Sequence, residues 1–415
     1  MMKSRLVSFL SLLLAMLVPL MVLGSTGCGR GTSTPENEVW TRQFGTSDPD
    51  NANAMFSDGS GNIYVAGLTQ GTFPGQTSSG GLDAFIAKYD SSGNEVWTRQ
   101  FGTSGDDWPH AVVVDGSGNI YVTGWTEGGA FPRQTSSGGV DHFVAKYDTS
   151  GNEVWIRHFG TSFDDVASTA VAVGLGNIYV AGRTSIVKYD ASGNEVWVSE
   201  SLERYNSVKA MVADGLGNIY LAGDTVWQVA DHIETGSFVA KCDNLGNEVW
   251  TRSFHGSDAG GPNAIFSDGS GNIYVAGWTQ GAFPGQTSLG KTDFFIAEYD
   301  ASGNQVSMTQ FGTSGEDWAS AMSSDGSGNI YMACPIHSQG FLDCYASTTD
   351  FLIAKYDISG DEVWRRKSQG LGENEVTAVV ADGSGNIYVA GGIKGTFPGQ
   401  TSSGKGDAFI MKLRE

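Results

Sequence analysis

Gly118-Asn119-Ile120-Tyr121 is one of seven copies of a single tetrapeptide; the others begin at Gly61, Gly176, Gly217, Gly271, Gly328 and Gly385. The copies lie 57, 58, 41, 54, 57 and 57 residues apart, so the chain is built of seven units. Around this copy, four short segments carry strand character: Ala111–Val114, Asn119–Trp125, His142–Tyr147 and Glu153–Phe159. They are rich in Val, Ile, Tyr, Phe and Trp, and clusters of Gly, Asn, Asp and Ser separate them. Two of the connections, Asp115 to Asn119 and Asp148 to Asn152, share the pattern Asp-x-x-Gly-Asn. Aspartate can bond the turn backbone while Gly and Asn accept positive φ, which predicts tight hairpins. The other two connections are long. Nothing after the N-terminal segment shows helical periodicity.

Four antiparallel strands repeated seven times predict an all-β, seven-bladed β-propeller. The chain starts with a fourth-strand segment, Glu38 to Phe44, and finishes with a third-strand segment, Asp407 to Lys412. The first segment can therefore complete the last blade and close the ring. In a four-stranded meander both tight turns fall on one face, and both long loops on the other. Binding residues gather on long loops held by a rigid scaffold, so the long-loop face is the candidate surface.

Units of the form DGSGNIYVAG…FPGQTSSGGxDAFIAKYDSSGNEVWTRQFGTSGDD resemble the bacterial seven-bladed propeller repeat known as SBBP, from Glu36 to Arg414. The third unit departs from the pattern by lacking the long second loop, and the fourth replaces it with Thr225–Gly236. The resemblance implies an exported propeller and brings no catalytic residues with it.

The chain has 415 residues and a formal charge of −21, with 45 Asp and Glu against 24 Lys and Arg. That balance argues against nucleic acid as a partner, because phosphate binding needs a basic face. The 40% hydrophobic residues are enough for a core, which argues against disorder. Lys3 and Arg5 precede an apolar run from Leu6 to Leu23, which ends in Gly24-Ser25-Thr26-Gly27-Cys28. This reads as a secretory signal over 1–27, resembling a lipoprotein signal with Cys28 as the lipidated residue, followed by a tether over 28–37. Ser25 stands where a lipobox usually carries leucine. An ordinary cleaved signal and an uncleaved anchor are the alternatives, and all three export the chain. The expected address is the cell envelope, with a lipid anchor to the membrane. Gly29 after the cysteine favours the outer membrane in a Gram-negative cell.

Residues repeated in every unit are expected to pack. Trp40, Trp97, Trp155, Trp197, Trp250 and Trp364 share one outer-strand position, and Arg42, Arg99, Arg157, Arg252 and Arg365 stand just after it. On an edge strand such charge deters edge-to-edge pairing. Unit-specific residues carry more information. The acidic pairs Asp106-Asp107, Asp164-Asp165 and Glu316-Asp317 are expected on the long-loop face, two of them followed by Trp108 and Trp318. Such groups could grip a protein or stack on sugars, and neighbouring carboxylates could hold calcium, against the plainer reading of loop capping. Trp125, Trp278, Phe73, Phe131, Phe283 and Phe397 are further aromatics of the same loops, with covering the blade cores as their plainer role. The six histidines lack zinc-ligand spacing, and neither a catalytic set nor a cofactor is implied. Cys334 and Cys344 flank a loop that a disulfide could tie in an oxidising envelope, and Cys242 is expected as a packed thiol. The function expected is non-enzymatic: an envelope binding or scaffold propeller whose partner is a protein. A glycan binder, and a hydrolase or lyase working at the axis, are the alternatives.

Overall fold

Short apolar strands alternating with Asp-x-x-Gly-Asn turns give seven four-stranded antiparallel sheets arranged as the blades of a propeller. This is a computed structural model, in which residues 37–415 are described apart from 137, 161–167, 183–184, 200–204, 230–231, 269–270, 318, 336–350 and 369–370. The signal segment, the tether up to residue 36 and Cys28 thus lie outside the described residues. Among the described residues there is no helix, and so none long and apolar enough to cross a membrane.

Blade 2 is typical: Asp106–Val114 is its inner strand, followed outward by Ile120–Glu127, Val140–Tyr147 and Glu153–Phe159. Blade 7 is composite. Leu371–Ala381, Asn386–Thr396 and Asp407–Arg414 are completed by Glu38–Phe44 as the outermost strand, with Thr41 opposite Met411 and Phe44 opposite Ala408. The ring closes as the chain ends predict.

Most of the tight turns share one geometry; the first turn of blade 3 departs from it, with Val173 where the others carry aspartate. In blade 1, Asp90 Oδ1 accepts the backbone N–H of Ser92 (2.9 Å) and Asn94 (2.8 Å), and Oδ2 accepts the Asn94 amide at 2.9 Å. Gly93 closes the turn at φ 77°, and a Cβ there would lie 2.7 Å from the Trp40 ring. Only glycine satisfies both demands. Trp40 in turn donates its indole N–H to the Ser91 carbonyl, 3.2 Å away, and Trp155, Trp197 and Trp250 are gripped in the same way by the next blade's turn.

Apolar side chains gather into seven clusters, one at each seam between neighbouring blades. The repeated tryptophans belong to this packing, as expected. The arginines do more than deter edge pairing. Arg42 Nε donates to the Gly93 carbonyl (2.7 Å) and Arg99 Nε to that of Gly151 (2.7 Å), while Arg157 makes the same bond to Gly193 at 2.8 Å. They are clamps across the seams. In blade 6 the residue lying over the Trp364 ring is Arg366, at 4.2 Å, and Arg365 bonds Glu362 instead.

Candidate binding site at the channel mouth

The inner strands surround a central channel, and a cavity of about 540 Å³ runs along it. A polar residue at one equivalent position in each blade lines this cavity: Asn53, His110, Ser168, Lys209, Asn263, Ser320 and Thr377, joined by Thr169, Ser323 and Ser324. In five blades that residue is the extra one of a β-bulge, as at Pro109/Ala111 and Val208/Ala210. A bulge re-aims its side chain, here toward the axis. In blades 3 and 6, Ser168 and Ser320 stand just before the inner strand begins.

Five of the seven are hydrogen-bonded to backbone carbonyls, and four of these bonds brace the ring. Asn53 Nδ2 donates to the Pro109 carbonyl (3.2 Å), Asn263 Nδ2 to Ala319 (3.3 Å), Ser168 Oγ to Val208 (2.6 Å) and Thr377 Oγ1 to Ala52 (2.5 Å). All four bonds cross to the next blade, whereas Ser320 Oγ donates to Ala333 within its own blade at 3.1 Å. The two longer side chains differ. His110 Nε2 accepts the Trp125 indole N–H at 2.8 Å, and Lys209 pairs with Asp224 at 3.4 Å. The confined channel desolvates His110 and lowers its pKa below the usual histidine value.

Above His110, Trp108 and Trp125 are cross-strand partners, their rings stacked 5.5 Å apart and 14° from parallel, both half-buried. Trp108 thus sits near the start of the inner strand, where the long loop enters it, with Trp125 as its platform mate. The acidic partners take other roles. Asp106 accepts the Leu82 N–H across the seam (2.9 Å), and Glu316 pairs with Lys291 at the surface (3.2 Å).

Asp107 and Asp317 are wholly buried, which corrects the expectation that both carboxylates of a pair face a ligand. Asp107 Oδ2 accepts the Thr103 N–H at 2.7 Å, and Asp317 Oδ2 that of Thr313 at 2.6 Å, so both hold the loop that enters the inner strand. For Asp107 strand alternation is the reason: in Asp106–Val114 the second residue of the pair points inward. Asp107 there meets Asp83 of blade 1 beside Gly102, where a Cβ would lie 2.5 Å from one carboxylate and 2.6 Å from the other. Burial first, with Asp83 adding to it, pushes Asp107 up to about 6 against the bonds from Thr103 and Thr126.

Trp318, Asp164, Asp165 and Cys344 lie outside the described residues. Cys334 is buried in the blade 5–6 seam, where its thiol is pushed up by desolvation, and Cys242 is buried in blade 4. Phe73, Phe131, Phe283 and Phe397 are buried rather than presented to a ligand; Phe73 packs edge-on against Phe85 at 5.2 Å, as a lid on its blade. Trp278 is half-buried.

A second concavity of about 590 Å³ opens on the same face between blades 7 and 1. Leu68, Val376 and Ile393 form its apolar wall, with Asn51, Glu375 and Lys394 around it. No motif announced it, because its residues come mostly from strands at the two ends of the sequence, brought together only through ring closure.

Residues 39–74 and 96–132 match the family described as SBBP, beta-propeller repeat. The propeller is also 26% identical over 182 residues to the regulatory protein FlaEY of Caulobacter vibrioides, spanning 40% of this chain and 19% of that protein. A WD repeat-containing protein of Acanthamoeba polyphaga mimivirus is 23% identical over 362 residues, spanning 74% of this chain and 26% of the relative. The propeller therefore covers about a quarter or less of these relatives' length. Among solved structures it is similar to the Neurospora crassa Pan2 WD40 domain, with 12% identity, TM-score 0.43, and coverage of 74% and 89% of the two chains. A protein of unknown function from Bacteroides caccae is similar at 12% identity and TM-score 0.38, covering 60% and 78%.

Proposed function

We propose that this propeller is a non-enzymatic binding scaffold whose long-loop face takes a protein partner in the cell envelope. The observation that carries the reading is the gathering of unit-specific residues at one mouth of the channel. The Trp108–Trp125 platform of blade 2 and the pocket walled by Leu68, Val376 and Ile393 flank blade 1 on the same face. Half-exposed aromatics beside an apolar pocket are what interface hot spots are made of. Five of the seven side chains at the axis are hydrogen-bonded to backbone carbonyls, which suits bracing better than nucleophilic or acid–base work.

The test is a cross-linking pull-down from native envelopes with the wild-type chain and a Trp108→Ala/Trp125→Ala variant. A discrete protein recovered by the first and lost by the second, and binding the purified wild type in titration, supports the reading. Equal recovery by both removes the platform as the site. Recovery of polysaccharide instead moves the function to glycan binding, which the stacked indoles also favour. The envelope address has its own test: Cys28→Ser is expected to release the chain from the membrane fraction, and a cytoplasmic wild type would overturn the address.

A further inference from the structure

The channel beneath the mouth carries an uneven distribution of charge. Blades 2 and 4 contribute its long, nitrogen-bearing side chains, His110 and Lys209; blades 5, 6, 7 and 1 contribute Asn263, Ser320, Thr377 and Asn53, all uncharged. The indole of Trp125 can only donate, so His110 Nε2 must accept, and the neutral ring then carries its proton on Nδ1. That N–H remains for a ligand. Asp224 orients the Lys209 ammonium by one contact at 3.4 Å, and the lysine side chain is still 46% exposed to the lumen. An ammonium has three donors, so it can hold a second acceptor. On the opposite wall the hydroxyls of Ser320 and Thr377 give their protons to Ala333 and Ala52 and present lone pairs, while each asparagine retains its carbonyl and a second N–H. One side of the cavity thus offers two donors suited to a carboxylate. The other offers mixed acceptors and donors suited to hydroxyl groups. At about 540 Å³ the cavity falls in the size range of small-ligand sites.

We propose that the channel is a second binding site, for a hydroxylated carboxylic acid of the sugar-acid class, with its carboxylate on Lys209 and His110 and its hydroxyls on Asn263, Ser320, Thr377 and Asn53. The site lies beneath the Trp108–Trp125 platform, whose Trp125 indole sets the His110 tautomer, and no bond of the substrate is broken there. The same chemistry occurs in a free sugar acid and at a uronate residue of a polysaccharide.

Calorimetric titration of the full-length chain with sodium glucuronate, glucose and a galacturonate trimer tests it. Saturable binding of glucuronate is expected, with glucose weaker by about tenfold, the loss of one charge-assisted hydrogen bond. Lys209→Met should weaken glucuronate by a similar factor and leave glucose unchanged, and Lys209→Arg should restore it. Binding of the trimer as well as the monomer supports a polysaccharide source, and binding of the monomer alone supports a free acid. Absence of glucuronate binding, or equal binding of glucuronate by wild type and Lys209→Met, overturns the proposal without touching the protein-partner reading.

Discussion

On the short-turn face, Asp90 and Asp190 stand in hairpins where the backbone N–H of Asn94 and Asn194, and then their amides, hold the carboxyls below the ordinary range. On the long-loop face, Asp107 is enclosed beside Asp83 and is pushed up to about 6. Asp50 and Asp317 are likewise raised, by burial first. The same residue type therefore favours ionisation on one face of the disk and opposes it on the other. The short-turn face is a repeated, solvent-facing solution with its hydrogen bonds satisfied. The long-loop face accepts awkward buried charge in order to fix longer loops, and it is also where the units stop resembling one another.

The sharpest way to break this contrast is through a feature of the repeated seams. Trp97→Ala should cost about 3–5 kcal/mol in urea unfolding, as a buried aromatic left as a cavity does, while leaving ligand titrations of the folded protein unaltered. A loss of less than about 1 kcal/mol would show that the seams are not the seat of stability.

Next in size is the pH response of the long-loop face. A carboxyl whose folded pKa is raised to about 6 from an unfolded value near 3.9 binds its proton more tightly when folded. Its contribution to stability is complete below about pH 3.9 and is lost as pH rises to about 6, a change of about 2–3 kcal/mol. Asp107→Asn should remove that component, so the wild-type-minus-variant difference in unfolding free energy should fall by this amount between those pH values. A flat difference would remove the burial argument.

Smaller again is the seam clamp. Arg99→Ala loses the bonds to Gly151 (2.7 Å) and Ser150 (3.3 Å) and should cost about 1 kcal/mol in the same assay. The smallest effect belongs to the hairpins. Asp90→Asn should lower the unfolding midpoint at neutral pH, where the carboxylate is ionised. The difference should shrink as pH falls below the unfolded carboxylate value and through the lower folded one, the reverse of Asp107.

Blade number, strand order and closure were legible because each depends on residues that recur. Gly93, Gly151 and Gly193 meet the same left-handed φ and the same tryptophan face, so the sequence repeats wherever the geometry does. The channel ring was not legible for the opposite reason. Asn53, His110, Ser168, Lys209, Asn263, Ser320 and Thr377 share a position and almost nothing else, and a search for recurrence passes over them. The available signal was the small residue that follows each one: Ala54, Ala111, Thr169, Ala210, Ala264, Ala321 and Ala378. Aligned on that residue, the position before it stands out as polar in every unit. Asp106 and Asp107 teach a similar lesson, since period-two alternation alone separates a surface carboxylate from a buried one. The pocket between blades 7 and 1 needed three-dimensional closure to exist at all.

That closure has a kinetic side. Thr41 pairs with Met411 across almost the whole length of the chain, so the first strand made must wait for the last before it has a neighbour. Contacts so distant in sequence form slowly, and an unpaired strand edge is exposed to other chains in the interval. Truncation before Asp407 would therefore remove one strand and strand another, baring the side of Asn386–Thr396 that is paired in the intact blade 7.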